Sequence, residues 1–299
     1  YPGTHPASND PKLQYLYGNM PTEKWHKEIW LGKLKEVIDQ YDPDIIWFDS
    51  WLDEIPENYR YQFCKYYLHR AKERGKETVI VRKEEDLPLS VSVENLENSR
   101  KSDLHPLTWE TDETISYGSW SYTTDLKIKT SKHLIHELID IVSKNGVLLL
   151  NISPRASGEI PADQQNVLLE IGTWLKQNGE AIYDTRTWYT YGEGPTKEPE
   201  GNINNRKLFD ALQYTSEDYR FTKKGNTIYI LSMGKPIVSS TILVNAFAVT
   251  KMSNGKKVKR VSMLGSNKKV DWAMETIGLK LSVPEVPNEI SVVYKVEME

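Results

Sequence analysis

The chain is short of the residues that would commit it early to several large function classes. One cysteine, Cys64, in 299 residues excludes an internal disulfide framework and any cysteine-rich metal site, and leaves the compartment open. No stretch reaches the roughly 20 apolar residues of a membrane-spanning helix. An excess of either charge is also missing: 38 Lys and Arg face 42 Asp and Glu, a formal net charge of −4, which gives no electrostatic footprint for a nucleic-acid partner. G-x-G-x-x-G, P-loop and G-x-S-x-G patterns are absent, so nucleotide binding and serine acyl transfer have no positive signal. The six histidines form no H-E-x-x-H, and His133 and His136, three apart on an expected helix, read as a solvated face. The opening Tyr1-Pro2-Gly3 carries no methionine, basic stretch or signal-like apolar run, and reads as a cut end.

What is present is an ordinary globular composition, 38% hydrophobic and 27% charged, long enough for two domains. The aromatics are unusual, with 9 Trp and 17 Tyr against 5 Phe. Trp and Tyr combine an apolar face with a polar edge, which suits sugar surfaces, although ordinary core and rim packing accounts for most of them singly.

After a Pro- and Asn-rich start, apolar spacing predicts a helix from Thr22, its N-cap, to about Tyr41, and a second from about Glu57 to Arg74, closed by Gly75. Between them lies "DPDIIWFDS", an apolar run that reads as a strand buried on both faces and that ends on Asp49. Further strands are expected at Thr78–Arg82, at Val91–Glu94 or slightly beyond, and at 147–153 (VLLLNIS). An irregular segment is expected from the Val91–Glu94 strand to about residue 130, and helices over Ser131–Lys144 and about Pro161–Gln177. Strands alternating with helices indicate a parallel sheet, whose ligands bind at the carboxyl ends of the strands. Asp49, Arg82, Glu94 or Glu97, and Asn151 fall at such ends.

Beyond about residue 190 the pattern becomes short strand runs (NTIYILSM, STILVNAF, KVKRVSML, KVDWAM, LKLSV, ISVVYKV) separated by turn residues, as in an antiparallel sandwich. The expected division is 1–190 and 191–299, with the boundary between Thr185 and Gly194. Only about four parallel strands are found, where a closed (β/α) barrel needs eight. "KKVKR" at 256–260 reads as a solvated strand edge that discourages aggregation.

Carboxylates are the main candidates for chemistry. Asp49 must either face a cleft or lie exposed just past its strand, and position alone weighs these evenly. Glu94 and Glu97 could supply a second acid, although solvated loop acids are the commoner outcome for each. Two carboxyl groups about 5–5.5 Å apart would permit retaining glycoside hydrolysis.

Three motifs together, "PDIIWFDSW", "TWETDETISYGSWSY" at 108–122 and "IVSKNGVLLLNISPRASGEIPADQQNVLLEIGTWLKQNGEAIYDTRTW" at 141–188, resemble the α-L-fucosidases of glycoside hydrolase family 29. The resemblance covers roughly residues 40–190. It implies an α/β fold with a TIM-like (β/α)-barrel, of which this chain carries only the second half, followed by a β-sandwich. It also implies release of terminal α-L-fucose from a glycan with retention of configuration, and no metal or other cofactor. Asp49 matches the family's nucleophile. Trp47 and Trp120 match aromatics of its sugar pocket, and Arg82, or else Lys83, a cation near the nucleophile. Glu97 matches the acid/base of one subgroup, but Asn98 and Ser99 follow it where that subgroup has Arg and Gly; Glu94 is the alternative, and Glu110 reads as a structural member of the W-E-T-D turn. The family's sugar-binding histidines lie upstream of everything matched. The missing barrel half is therefore expected as a preceding segment or a separate chain, and the family suggests a secreted, periplasmic or lysosomal setting. A non-catalytic carbohydrate-binding protein on the same scaffold is the rival reading.

Overall fold

The structure, a computed structural model, describes residues 20–49, 51–199, 206–252 and 257–299. Its contacts divide the chain into two units, Tyr1–Asn95 and Leu96–Glu299.

In the first unit the apolar stripe from Trp25 to Ile38 builds the first helix, α1 (Leu31–Tyr41), entered through a short α turn, Thr22–Lys24, and a π-helical segment, Trp25–Trp30. Pro21, not Thr22, occupies the N-cap, so Thr22 is already helical. Strand β1 (Ile45–Trp47) follows, then α2 (Glu57–Arg74), which Gly75 ends at φ 67°, a left-handed conformation that glycine adopts without a Cβ penalty. Strand β2 (Val79–Arg82) pairs parallel with β1, and β3 (Val93–Glu97) pairs parallel with β2.

Register decides which side chains share a face. Ile45 pairs with Val79, Ile46 with Ile80 and Trp47 with Val81; Val81 pairs with Val93 and Arg82 with Glu94. Ile46, Phe48 and Ile80 join Phe63, Tyr67 and Ile38 in one core between sheet and helices. The opposite face carries Ile45 and Val79, which are 56% and 38% exposed. The expectation that β1 is buried on both faces is therefore wrong, because among the described residues helices cover only the even-numbered face.

The second unit opens with β4 (Trp109–Thr114), every residue of which is buried, paired parallel with β5 (Gly146–Asn151). The segment read as irregular thus contains a strand, and Glu110 belongs to it and not to a turn. Helix α3 (Ser131–Ser143) lies between them in sequence, with the Thr130 hydroxyl accepting from the His133 N–H as a cap, and α4 (Ala162–Asn178) follows β5. Val147 and Leu149 are 50% and 46% exposed, so the most apolar run in the chain is likewise covered on one face only.

The remainder is antiparallel. Strands β6 (Gly192–Glu193), β7 (Tyr219–Lys224), β8 (Thr227–Ser232), β10 (Val258–Met263) and β13 (Val293–Met298) form one sheet in the order β10-β13-β8-β7-β6. Strands β9 (Thr241–Val244), β11 (Trp272–Glu275) and β12 (Gly278–Ser282) form a second, in the order β11-β12-β9. A short helix, α5 (Arg206–Asp210), precedes β7. Phe221, Ile230, Val261, Tyr294 and Val296 of the first sheet and Val244, Leu279 and Leu281 of the second share one core. All six strand runs expected beyond residue 190 are found. Of the described part of "KKVKR", Lys257 precedes β10 and Val258–Arg260 open it, with Lys257, Lys259 and Arg260 exposed.

Candidate active site

Chain direction delivers Asp49 two residues past the carboxyl end of β1, where the ladder has stopped and the side chain is 75% exposed. Lys83, one residue past β2, places its Nζ 3.1 Å from an Asp49 carboxylate oxygen. The same ammonium lies over the Trp47 ring, 5.1 Å from its centroid, a cation–π contact that holds indole and lysine together beside the acid. The lysine is itself only 11% exposed, so this positive charge is largely shielded from solvent while the carboxylate is not.

Of the two cations offered by "VRKEE", Lys83 is the one on Asp49. Arg82 is buried and donates to the Glu84 carbonyl. The reason is the period of the strand: successive side chains alternate, and register sets Arg82 beside Glu94 on the face that carries Ile46 and Ile80. Of the two readings, Arg82 or else Lys83, the cation beside Asp49 is Lys83 and not Arg82.

Asp49 also lines a cavity of about 330 Å³ whose other walls are Trp25, Trp30, Phe48, Trp51, Leu52 and Ile55. Trp30 stacks on Phe48 with centroids 6.3 Å apart, and both meet Phe63 edge-on, so the wall is anchored in the core. Trp51 stands at φ 75° and is 60% exposed. A bulky residue in the left-handed region is uncommon and costs about 1–3 kcal/mol, a cost found mostly where geometry serves a site. An exposed acid walled by aromatics offers a nucleophile or hydrogen-bond acceptor beside surfaces suited to sugar C–H faces. Trp25, Trp30 and Trp51 were not singled out from sequence, where a tryptophan on a helical stripe is indistinguishable from core.

Glu94 and Glu97 are both half-buried on β3. Alternation along that strand puts them on opposite faces, Glu94 with Arg82 and Glu97 with Val93 and Asn95.

In the second unit, Trp120 is half-buried, and its backbone carbonyl accepts from Asn151 Nδ2 and Ser153 Oγ, each at 2.9 Å. Gln164, 1% exposed, fixes Ser153 from behind by accepting from its N–H and donating to its carbonyl, both at 2.9 Å. Asn151 thus acts at its strand end as a brace for the Trp120 loop.

The second unit also buries a charge network. Asp140 accepts from Lys144 at 2.8 Å and from Arg220 at 2.6 Å, with Arg100 at 3.3 Å. Glu198 pairs with the same Lys144 and Arg220. Beside it, Lys129 meets Glu113, Glu137 and Asp210 at 2.9, 3.4 and 3.1 Å, and His133 meets Glu137 at 3.1 Å. His133, Glu137 and Asp210 bring ligand-type atoms within 4.8 Å of one another, but the Lys129 ammonium already forms ion pairs with both carboxylates. His133 is therefore no solvated face: burial pulls its pKa down, and hydrogen bonds to the Asp210 and Glu137 carboxylates outweigh this and hold it up at about 9. His136 differs again, burial lowering it to about 4 while its Nε2 lies 2.8 Å from the Ile290 carbonyl oxygen.

Comparison with known proteins accords with these features. The chain is 28% identical over 270 residues to the tissue alpha-L-fucosidase of Bos taurus, covering 86% of this chain and 50% of that protein. It is 25% identical over 267 residues to the plasma alpha-L-fucosidase of Homo sapiens, covering 86% and 51%. The chain thus spans about half the length of the curated relatives it matches. Among solved structures, the Thermotoga maritima alpha-fucosidase in complex with fucose superposes with a TM-score of 0.69 at 23% identity, over 96% of this chain and 59% of that one, which establishes likeness of fold. Residues 4–180 match the family model described as Alpha-L-fucosidase, and over that span, more than half its length, the chain belongs to the alpha-L-fucosidase family, glycoside hydrolase family 29.

Proposed function

We propose that the protein acts, together with the remainder of a (β/α)-barrel, as an exo-α-L-fucosidase that removes terminal fucose from a glycan with retention. On this reading residues 1–190 are the carboxyl-terminal portion of the catalytic barrel and 191–299 a β-sandwich. The observation that carries the reading is the placement of Asp49, an exposed carboxylate at a strand's carboxyl end, inside a tryptophan-walled cavity and beside one shielded cation.

Asp49 attacks the anomeric carbon of fucose, and Lys83 holds it in place. Glu97, protonated, donates to the departing glycosidic oxygen; its carboxylate then takes a proton from water, which hydrolyses the fucosyl ester. Alternation along β3 favours Glu97 over Glu94, because Glu94 shares its face with the buried Arg82. Trp47 and Trp120 contact the sugar's apolar faces. No residue in this scheme requires a metal or an organic cofactor.

The test is turnover of an aryl α-L-fucoside by the intact protein. Asp49→Ala is expected to lose several orders of magnitude in kcat. A 2-fluorofucosyl fluoride should leave a covalent adduct on the Asp49 peptide, seen by mass spectrometry. Near-normal turnover by the variant, or an adduct on a different residue, would overturn the assignment. Tight fucose binding with no turnover by the parent would favour the carbohydrate-binding alternative.

A further inference from the structure

A second, smaller cavity of about 200 Å³ lies in the β-rich part of the second unit, and its lining differs in kind from that of the site above. Trp188 and Tyr189 provide an aromatic wall, Thr187 and Asn226 polar edges, and Lys223 and Lys251 positive charge. Among the described residues no acidic side chain lines it. Trp188 is wedged against Phe221 and Phe247, with centroids at 5.2 and 4.7 Å, and takes Tyr189 edge-on at 4.5 Å. The Tyr189 hydroxyl donates to the Ala246 carbonyl at 2.5 Å, so both rings are set in place before any ligand arrives.

The lysines are the informative part. Elsewhere in the β-rich part Lys224, Lys235, Lys268, Lys269, Lys280 and Lys295 each reach a carboxylate within ion-pair distance, while Lys257 and Lys259 stand exposed along a strand edge and do not line this hollow. Lys223, although half-buried, pairs with none among the described residues, and neither does Lys251. The acid whose charge Lys251 senses, Glu193, spends its two oxygens on the Asn245 and Ala246 N–H groups at 2.8 and 2.6 Å. Two cations thus stand at one aromatic-walled hollow with no ion-pair contact among the described residues. A larger cavity in the same part, about 600 Å³, is lined instead by Glu193 and Glu217, with no lysine among its described lining residues.

We propose that this hollow is a glycan-binding subsite for one acidic pyranose ring, in which the two lysines bind a sulfate ester or a carboxylate and the Trp188–Tyr189 wall takes the ring's apolar face. Its volume falls below the roughly 300–1,000 Å³ of pockets that enclose drug-sized ligands, so it suits a single ring and not an extended oligosaccharide. A free phosphate or sulfate would use the lysines and leave the aromatic wall idle; a neutral sugar would use the wall and leave both charges unmet. Only a ring bearing an anion uses both. The inference does not depend on fucoside turnover, and the two can fail separately.

The experiment is ligand-observed saturation-transfer NMR with calorimetry on the intact chain, using galactose 6-sulfate, galacturonate, galactose and sodium sulfate. At least one charged sugar is expected to bind about tenfold more tightly than galactose and than sodium sulfate, a difference of about 1.4 kcal/mol. Which of the two binds identifies the anion. The preference should weaken with added salt and vanish in the Lys223→Gln/Lys251→Gln double variant, whose melting temperature and fucoside turnover stay at parental values. Lys251→Glu, on an exposed residue, should abolish binding of the charged sugar and spare that of galactose. Equal binding of galactose, equal binding of sodium sulfate, retention of the preference by the double variant, or no binding of either charged sugar would each overturn the proposal.

Discussion

Asp49 and Asp140 are both aspartates beside basic side chains, yet one side chain is 75% exposed and the other 0%. Asp140 lies among Lys144, Arg220 and Arg100, each itself 4% exposed or less. Burial alone would raise its pKa, and the surrounding cations, Lys144 foremost, hold it instead far below the usual carboxylate range. An acid in that setting is ionised whenever the protein is folded; it neutralises buried cations and has no access to a ligand. Asp49 is the converse, an acid with one shielded lysine, an aromatic wall and an open side. Density of charge is therefore a poor guide to chemistry in this chain: the richest cluster of ionisable groups is scaffold, and the sparser one faces the cavity.

The largest effect that tests this contrast is on stability. Removing one partner of a buried ion network costs about 3–5 kcal/mol, because the remaining charges stay buried without compensation. Asp140→Asn is expected to lower stability by that order, read as the urea unfolding midpoint. Asp49→Asn, at an exposed position, should move it by less than about 0.5 kcal/mol. The activity effects should run the other way round for equally folded samples, with Asp49→Asn inactive. If the two variants shift the midpoint equally, the division into scaffold acid and site acid fails.

A second, smaller effect is carried by pH. His133 is held protonated up to about 9 by Asp210 and Glu137 against its ordinary 6.5, with Lys129 opposing from the same pocket and Tyr117 edge-on at 5.7 Å. A group whose folded pKa is raised stabilises fully below its unfolded value and loses that contribution as pH rises through the folded one. The parent should therefore lose on the order of 2–3 kcal/mol between pH 6.5 and 9 that His133→Gln does not lose, seen as convergence of their unfolding midpoints. Glu137 behaves oppositely. Burial would raise it, but Lys129, His133 and Arg100 bring it down to about 2, so its contribution is full above its ordinary 4.5 and disappears only as pH falls towards 2. Parallel pH curves for parent and His133→Gln would mean that the histidine is not part of the network.

The same contrast explains which parts of the molecule the sequence reveals. Helices α2, α3 and α4 carry apolar periodicity and stop at or just before Gly or Asn, and the six late strands are short apolar runs between turn residues, so they are legible. Strand β4 is not, because its last five residues, Glu110 to Thr114, are all polar. It is buried only because partners such as Lys129, 16 positions beyond Glu113, meet its charges, and no local pattern encodes that pairing. Strand β7 escapes for the same reason, since Arg220, its second residue, is buried by Asp140, 80 residues away. At the candidate site, Asp49 is legible as an acid ending an apolar run. The choice of Lys83 over Arg82 needs the register of β1 on β2, and the tryptophan wall needs the fold of α1 against that sheet.

Packing supplies the smallest test, at a position where no charge changes. Gly146, at the start of β5, sits where an added Cβ would fall 2.6 Å from the Trp109 ring and 2.7 Å from Ile141. Trp109 is fully buried and its Nε1 donates at 3.0 Å to the carbonyl of Lys144, whose side chain holds Asp140, so the ring has little room to retreat. Gly146→Ala should cost about 1–3 kcal/mol as overpacking, with the pH dependence assigned to His133 intact, because the lysine's ion pairs survive a small shift of its backbone. A loss as large as that of Asp140→Asn would mean that the ion network tolerates no movement of the strand beneath it, and that position, more than charge, is what Lys144 supplies.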